Sequence, residues 1–314
     1  MREKYLIVNG WGGGLRGIPA IMFWQRLIKI FPGLRERVDL FGGVSIGALT
    51  FGGIARGLKI ETIFELIHDR ADVIFKKTLW DKIKSLDGWI APEYNVRNMF
   101  SAIQDAVGNT TKLQDVEKSL IVTTFDMSRF KMKFYENLTG FDDSVYLSRA
   151  LTQSAVAPVK FGTWKGGYDG GVYGKNSALW ALAQALDPRN IGNERHRHAG
   201  QDGKNPRLEN IWVLDFGTGN PPAKDPEHGR EWNYGKIQFA ANLIPGIFLD
   251  GLHGAIEFSL KTILGERYHL VNFDMERKIE MDDLKARPEL VEIGQKTVLL
   301  DTVTWLRKFD LDME

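Results

Sequence analysis

Three short stretches carry residue types able to do chemistry. Gly43-Val44-Ser45-Ile46-Gly47 sets a serine between two glycines, after one apolar run and before another. Glycines at that spacing admit a turn too tight for side chains. A serine on such a turn, between a strand and a helix, presents its hydroxyl as a nucleophile. Asp169-Gly170-Gly171 places a carboxylate in a loop ahead of a helical stretch; the plain alternative there is an Asp-Gly turn. Gly12-Gly13-Gly14 follows a strand-like segment and opens a helix. Consecutive glycines let backbone N–H groups turn inward, and the helix N-terminus adds positive potential, so this loop suits an anion. Gly13 and Gly14 are the foremost donors of an oxyanion hole that begins at Gly12, with Arg16 placed to pin the loop through its carbonyls.

A dinucleotide phosphate is the competing anion, because Gly12, Gly14 and Gly17 formally satisfy G-x-G-x-x-G. That fingerprint requires an acid at the far end of the second strand. The nearest candidate, Asp39, stands at its start, and the serine turn occupies the far end. A serine nucleophile needs a base, most often histidine. Of the six histidines, His68 sits in a helical segment, and His196, His198 and His228 fall in polar loops. His253 and His269 lie in apolar stretches and stay open as bases at this stage. No histidine follows a strand end with an acidic residue placed to orient it.

The elements that must position these groups follow from the apolar pattern. "KYLIVNG" and "RVDLFGGVS" read as buried strands, each followed by a helix, "LRGIPAIMFWQRLIKIF" and "IGALTFGGIARG". That order predicts an α/β fold with a parallel sheet covered by helices. A mostly helical insert spans about 59–110. "SLIVTTFDM" and "KMKFYENL" predict two strands joined at Ser128-Arg129-Phe130, and "SVYLSRALTQSAVAP" and "SALWALAQALD" predict helices. "NIWVLDFGTG" and "RYHLVNF" are two further strands. A helix-like segment covers 233–265, and "KTVLLDTVTWLRKF" is a terminal helix. Polar loops fill about 188–209 and 220–235. With no repeat and no clear linker, the 314 residues are expected to form one domain.

Composition narrows the function classes. Forty-one Lys and Arg balance 40 Asp and Glu, so no basic excess points to a nucleic acid polymer. With no cysteine, thiolate metal sites, disulfides and a cysteine nucleophile are all excluded. The N-terminus lacks the pattern of a signal peptide, and no run reaches about 18 consecutive apolar residues. The expectation is a cytoplasmic protein whose membrane contact, if any, is peripheral.

Taken together, the motifs resemble the patatin-like phospholipase family. The carriers are "GGGLRG" (12–17), "GVSIG" (43–47), "SAVAP" (154–158), "DGGVYGKN" (169–176) and "VLDFGTG" (213–219), in the family's order. The resemblance implies a three-layer α/β sandwich and a Ser-Asp dyad without histidine: Ser45 as nucleophile, Asp169 as base, and the glycine loop as oxyanion hole. Gly43, Gly47, Gly170 and Gly171 are then motif glycines. Two departures stand out: Trp11 occupies the position where the family's loop begins with Asp, and Lys175-Asn176-Ser177 replaces Asn-Asn-Pro or Asn-Pro. The implied activity is calcium-independent hydrolysis of fatty-acyl esters in phospholipids or lysophospholipids, with no cofactor and no metal. Some compact bacterial members are defence effectors, inactive until a cyclic nucleotide binds and drives assembly. A nucleotide activator and a homo-oligomer are therefore a second expectation, and a non-catalytic storage or interaction protein on the same fold is a third. A base carboxylate also needs an elevated pKa, which predicts Asp169 buried and hydrogen-bonded to Ser45.

Overall fold

The structure is a computed structural model that describes residues 4–77, 91–192, 206–222 and 252–309. His196, His198, His228 and most of the two expected polar loops lie outside the described residues, as does most of the helix-like segment from 233.

Among the described residues, seven strands form one sheet in the order β4-β3-β2-β1-β6-β7, with β5 joined to β3. They are β1 (Tyr5–Gly10), β2 (Leu40–Val44), β3 (Ser119–Asp126), β4 (Lys131–Glu136), β5 (Gly167–Asp169), β6 (Ile211–Phe216) and β7 (Tyr268–Val271). β1 pairs in parallel with β2 and β6, β2 with β3, and β6 with β7; β4 and β5 are antiparallel to β3. The sheet is covered on both sides, which is why its central strands read as unbroken apolar runs. Leu6, Val8, Phe41, Leu120, Val122, Leu214 and Phe216 face one layer, and Tyr5, Ile7, Leu40, Ile121 and Val213 face the other.

The first layer holds α1 (Ile18–Ile30), α2 (Ile46–Arg56), α3 (Val96–Val107) and α4 (Leu147–Ala155). The second holds α5 (Ala178–Ala185) and α6 (Leu252–Leu264). α7 (Arg287–Lys296) and α8 (Leu300–Lys308) return to the first. Fully burying a side chain such as Leu6 or Ile7 contributes about 1.5–3 kcal/mol. Behind the strand ends, Trp24, Phe41, Phe51 and Phe216 interlock with ring centroids 5.1–6.3 Å apart. They form a stiff floor.

Strand order reverses at β1, between β2 and β6, and ligands in open α/β sheets bind beside such a point, outside the carboxyl ends of the strands. The glycine loop leaves β1 at that edge, Ser45 leaves β2, and Gly217-Thr218-Gly219 leaves β6. α2 meets β1 backbone to backbone, since a Cβ on Gly47 would lie 2.1 Å from the Gly10 carbonyl oxygen. The described part of the insert is mostly helical, as expected, with more breaks than the pattern marked. It breaks into Ile60–Phe64, a π-helical turn at Glu65–Asp69 and Ala71–Ile74, followed by α3. The terminal helix starts at Leu300 rather than at Lys296, which instead ends α7, a helix that the apolar pattern did not mark.

Candidate active site

Ser45 stands at the end of β2 with φ 56° and ψ −125°, as the N-cap of α2. A non-glycine residue at positive φ is uncommon, and here it is held from both sides. The Ser45 N–H donates to Ser154 Oγ at 2.9 Å, and the Ser154 hydroxyl donates to the Thr123 carbonyl at 2.7 Å. The strained turn is thus tied to β3 through α4. The positive end of α2 points at the serine oxygen.

Sheet register brings Asp169 to it. Val44, the last residue of β2, pairs with Thr123 of β3, and Asp169 of β5 pairs with the next residue, Thr124. Because β4 covers the opposite edge of β3, β5 takes the edge that β2 gives up when it turns away at Ser45. The Ser45 hydroxyl lies beside the Asp169 carboxylate, close enough to stabilise its charge, and that carboxylate accepts the Gly171 N–H at 2.7 Å. The Asp169 N–H donates to the Val156 carbonyl at 3.2 Å, so "SAVAP" grips both residues. Asp169 is 5% exposed and Ser45 8%. Burial pushes the Asp169 carboxyl from 3.8 up to about 7, against the lowering effect of the Ser45 hydroxyl and the Gly171 N–H.

The glycine loop abuts the serine: a Cβ on Gly12 would lie 3.2 Å from Ser45 Cβ. Its donors are not the full trio. The Gly12 N–H donates to the Lys175 carbonyl at 2.7 Å, which takes Gly12 out of the expected set of anion donors and locks the loop to the segment after Asp169. Among the described residues, the N–H groups of Gly13 and Gly14 have no acceptor. Arg16 Nε donates to the Gly13 carbonyl at 3.2 Å. Gly14 adopts φ +59°, and a Cβ there would collide with the Met281 carbonyl oxygen at 2.2 Å.

A second buried acid lies behind the loop. Asp215, on β6 and 0% exposed, accepts from Asn9 Nδ2 at 2.7 Å, Trp11 Nε1 at 2.8 Å, Asn176 Nδ2 at 2.8 Å and the Tyr268 hydroxyl at 2.9 Å. Burial raises its carboxyl to about 6, with those bonds pulling the other way. Trp11 thus finds in β6 a buried carboxylate for its indole N–H. Neither Ser154 nor Asp215 stood out as a site residue in the sequence, although both lie inside recognisable motifs.

An apolar cleft opens from Ser45, with about 530 Å³ of space including its solvent-open mouth. Its walls include Ile46 and Leu49 of α2, Leu66 and Ile67 of the π-helical turn, Met99 of α3 and Phe161. No histidine lines it among the described residues. His68 stacks on Phe64 with centroids 4.6 Å apart, His253 lies against the Trp11 ring at 5.1 Å, and His269 stacks on Trp305 at 5.4 Å. Asp39 accepts the Leu6 N–H at 2.8 Å, at the opposite end of the strands from the glycine loop, where it cannot meet a ribose. No helix among the described residues is long and apolar enough to cross a membrane.

Known proteins share this arrangement of sequence to different extents. A Bacillus subtilis (strain 168) protein named as a sporulation hydrolase, CotR, is 25% identical over 97% of this chain and 98% of its own length. Protein teg of Priestia megaterium is 25% identical over 77% of this chain and 71% of its own. A cGAMP-activated phospholipase of Escherichia coli (strain TW11681) is 25% identical over 43% of this chain and 39% of its own. Among solved structures, VipD of Legionella pneumophila aligns over 98% of this chain and 67% of its own, with a TM-score of 0.46 and 13% identity. The family model for patatin-like phospholipases matches residues 12–182, more than half of the 314 residues, and the chain belongs to the patatin-like phospholipase family.

Proposed function

We propose that the protein is a lipid acyl hydrolase of the phospholipase A or lysophospholipase type, with Ser45 as nucleophile and Asp169 as general base. The observation that carries this reading is the placing of the Ser45 hydroxyl, on its strained turn, beside a buried carboxylate raised to about 7. A base with a pKa near the working pH is present in its ionised form and still accepts a proton strongly.

Asp169 takes the serine proton as Oγ attacks the ester carbonyl. The carbonyl oxygen gains negative charge and is met by the N–H groups of Gly13 and Gly14 and by the positive end of α2. One such donor lowers the barrier by about 2.7–4 kcal/mol. Asp169 then gives its proton to the departing alcohol oxygen, leaving an acyl-serine. Water deprotonated by Asp169 cleaves this ester and restores the serine. No step calls on calcium. The apolar cleft receives the acyl chain, and its mouth meets a lipid surface peripherally.

Hydrolysis of a short-chain fluorogenic ester and of phospholipid vesicles, with calcium chelated, tests the reading. Activity in the wild type that disappears in both Ser45→Ala and Asp169→Ala supports it; activity that survives either change refutes the dyad. Similarity to a phospholipase named as cGAMP-activated favours a second version, in which the same site is latent. A wild type that stays silent until a cyclic nucleotide is added supports that version. Silence under both conditions favours a non-catalytic protein.

A further inference from the structure

The wall of the cleft beside the glycine loop comes from outside the family-matching residues 12–182. Met281 lines the cleft together with Gly14 and Ser45. Its carbonyl accepts the Leu15 N–H at 2.8 Å, and its Cβ lies 2.7 Å from where a Cβ on Gly14 would be. Met281 is therefore packed on the very residue whose N–H is offered to the developing oxyanion.

The next residue anchors this wall. Asp282 accepts the Tyr94 hydroxyl at 2.6 Å and pairs with Lys160 at 2.8 Å. Lys160 also pairs at 3.1 Å with Glu93, itself 7% exposed and paired with Lys77. Burial opposes ionisation of Asp282, but the bonds from Lys160 and Tyr94 hold its carboxyl below the ordinary value. The Tyr94 ring packs against Phe75 and Phe161 with centroids 5.2 and 5.4 Å apart, and both of these rings line the cleft. Met281 is held between the glycine loop and the rings at the cleft, its own carbonyl bonded to Leu15 and the adjoining Asp282 side chain bonded to Tyr94 and Lys160.

We infer that Met281 is a specificity-determining residue, limiting the bulk that an acyl group can carry on the carbon next to its carbonyl, with Tyr94 and Asp282 as positioning residues that hold it there. The inference rests on the acyl-hydrolase reading for its substrate class. Ser45 and Gly14 fix the place of the carbonyl, and Met281 touches Gly14, so its thioether meets the first carbons of the acyl chain. Straight chains pass a methionine at this point; an α-branched chain collides with it.

The test compares a straight-chain with an α-branched acyl group of equal carbon count. It is read as the ratio of kcat/KM for their esters and, separately, as the ratio of Kd for the free acids by calorimetry. Binding of the acids needs no turnover, so it reports on Met281 whether or not Ser45 and Asp169 are the catalytic pair. Met281→Ala is expected to move both ratios toward the branched acid by roughly tenfold or more, the usual worth of a group or two in an apolar pocket. Met281→Val trims the same wall by less and serves if the alanine variant folds poorly. Met281→Leu keeps the wild-type ratio. Tyr94→Phe shifts the ratio in the same direction as alanine but less far. Ratios equal to wild type in the alanine and valine variants overturn the inference, as does relaxed selectivity for a branched alcohol instead of a branched acid.

Discussion

Asp169 and Asp215 are two carboxylates of one sheet, both buried, yet their surroundings differ in kind. Asp215 is met by four side-chain donors at 2.7–2.9 Å, as many as an ionised carboxylate has lone-pair sites for. Asp169 receives the Ser45 hydroxyl and one backbone N–H. Burial lifts both above 3.8, to about 6 and about 7. Burial alone therefore does not make a base. The amides, indole and phenol around Asp215 keep their protons at neutral pH, whereas in the proposed reaction the one hydroxyl beside Asp169 gives up its proton as it attacks an ester carbonyl. One carboxylate ties Trp11 and Asn176 to β6; the other is left with capacity to react.

The sharpest way to break that contrast is to neutralise each acid in turn. Asp169→Asn is expected to lower ester hydrolysis roughly 10⁴-fold, the scale seen when one member of a catalytic set is removed, while its denaturant midpoint at neutral pH is no lower than wild type, since no buried charge is left there. Asp215→Asn points an amide NH₂ at a cluster of donors and is expected to cost about 3–5 kcal/mol in denaturant unfolding. A reversed pattern, with Asp215→Asn stable and Asp169→Asn unfolded, would sink the assignment of roles.

Acidity sharpens it further. With Asp169 as base, kcat/KM should rise with pH and level off above about 7. Stability should move the opposite way. Each folded-state pKa is raised above the ordinary 3.8, so the native state binds more protons than the unfolded chain, and stability falls as pH climbs. Asp215 adds to that fall up to about 6 and Asp169 up to about 7. Thermal melts of Asp169→Asn should therefore lack the final part of the decline; an unchanged profile would remove the elevated acid from the account.

The smallest expected effect falls on Ser154. Ser154→Ala deprives the Ser45 N–H of its acceptor and the Thr123 carbonyl of its donor. A loss of about 1–3 kcal/mol in stability follows, with kcat reduced more than KM because the strained turn loosens. Equal activity in that variant would show that β2 and α2 hold the serine unaided.

Features set by local geometry were legible in the sequence, and those set by distant contact were not. Gly14, Gly43 and Gly47 are glycines because backbone approaches there, and Gly12 and Gly13 because the Ser45 and Thr218 side chains crowd them, so the pattern betrays the turn. β5 is three residues long, too short for any period to register, yet it is the element that delivers Asp169 to Ser45. Gly12 counted in the sequence as the start of the anion-binding loop, behind Gly13 and Gly14, but the Lys175 carbonyl, far along the chain, claims its N–H. α7 carries few buried apolar residues, chiefly Leu290, so its periodicity is faint; Pro288 near its start and Glu289 in its first turn were the signals on offer. Met281 and Asp215 act through partners that no window of sequence contains.

The φ of 56° at Ser45 also gives the chain an evolutionary liability. Such a backbone costs about 1–3 kcal/mol, and glycine would relieve it while giving back about 0.5–1 kcal/mol through its freer unfolded state. The sturdier descendant of this protein is then one that has lost its hydroxyl. With Ser45 as the proposed nucleophile, a lineage or laboratory selection that rewards heat tolerance without demanding turnover would favour an inert form at this codon, just as it would favour glycine at the other strained positions, Phe130, Val159 and Lys165.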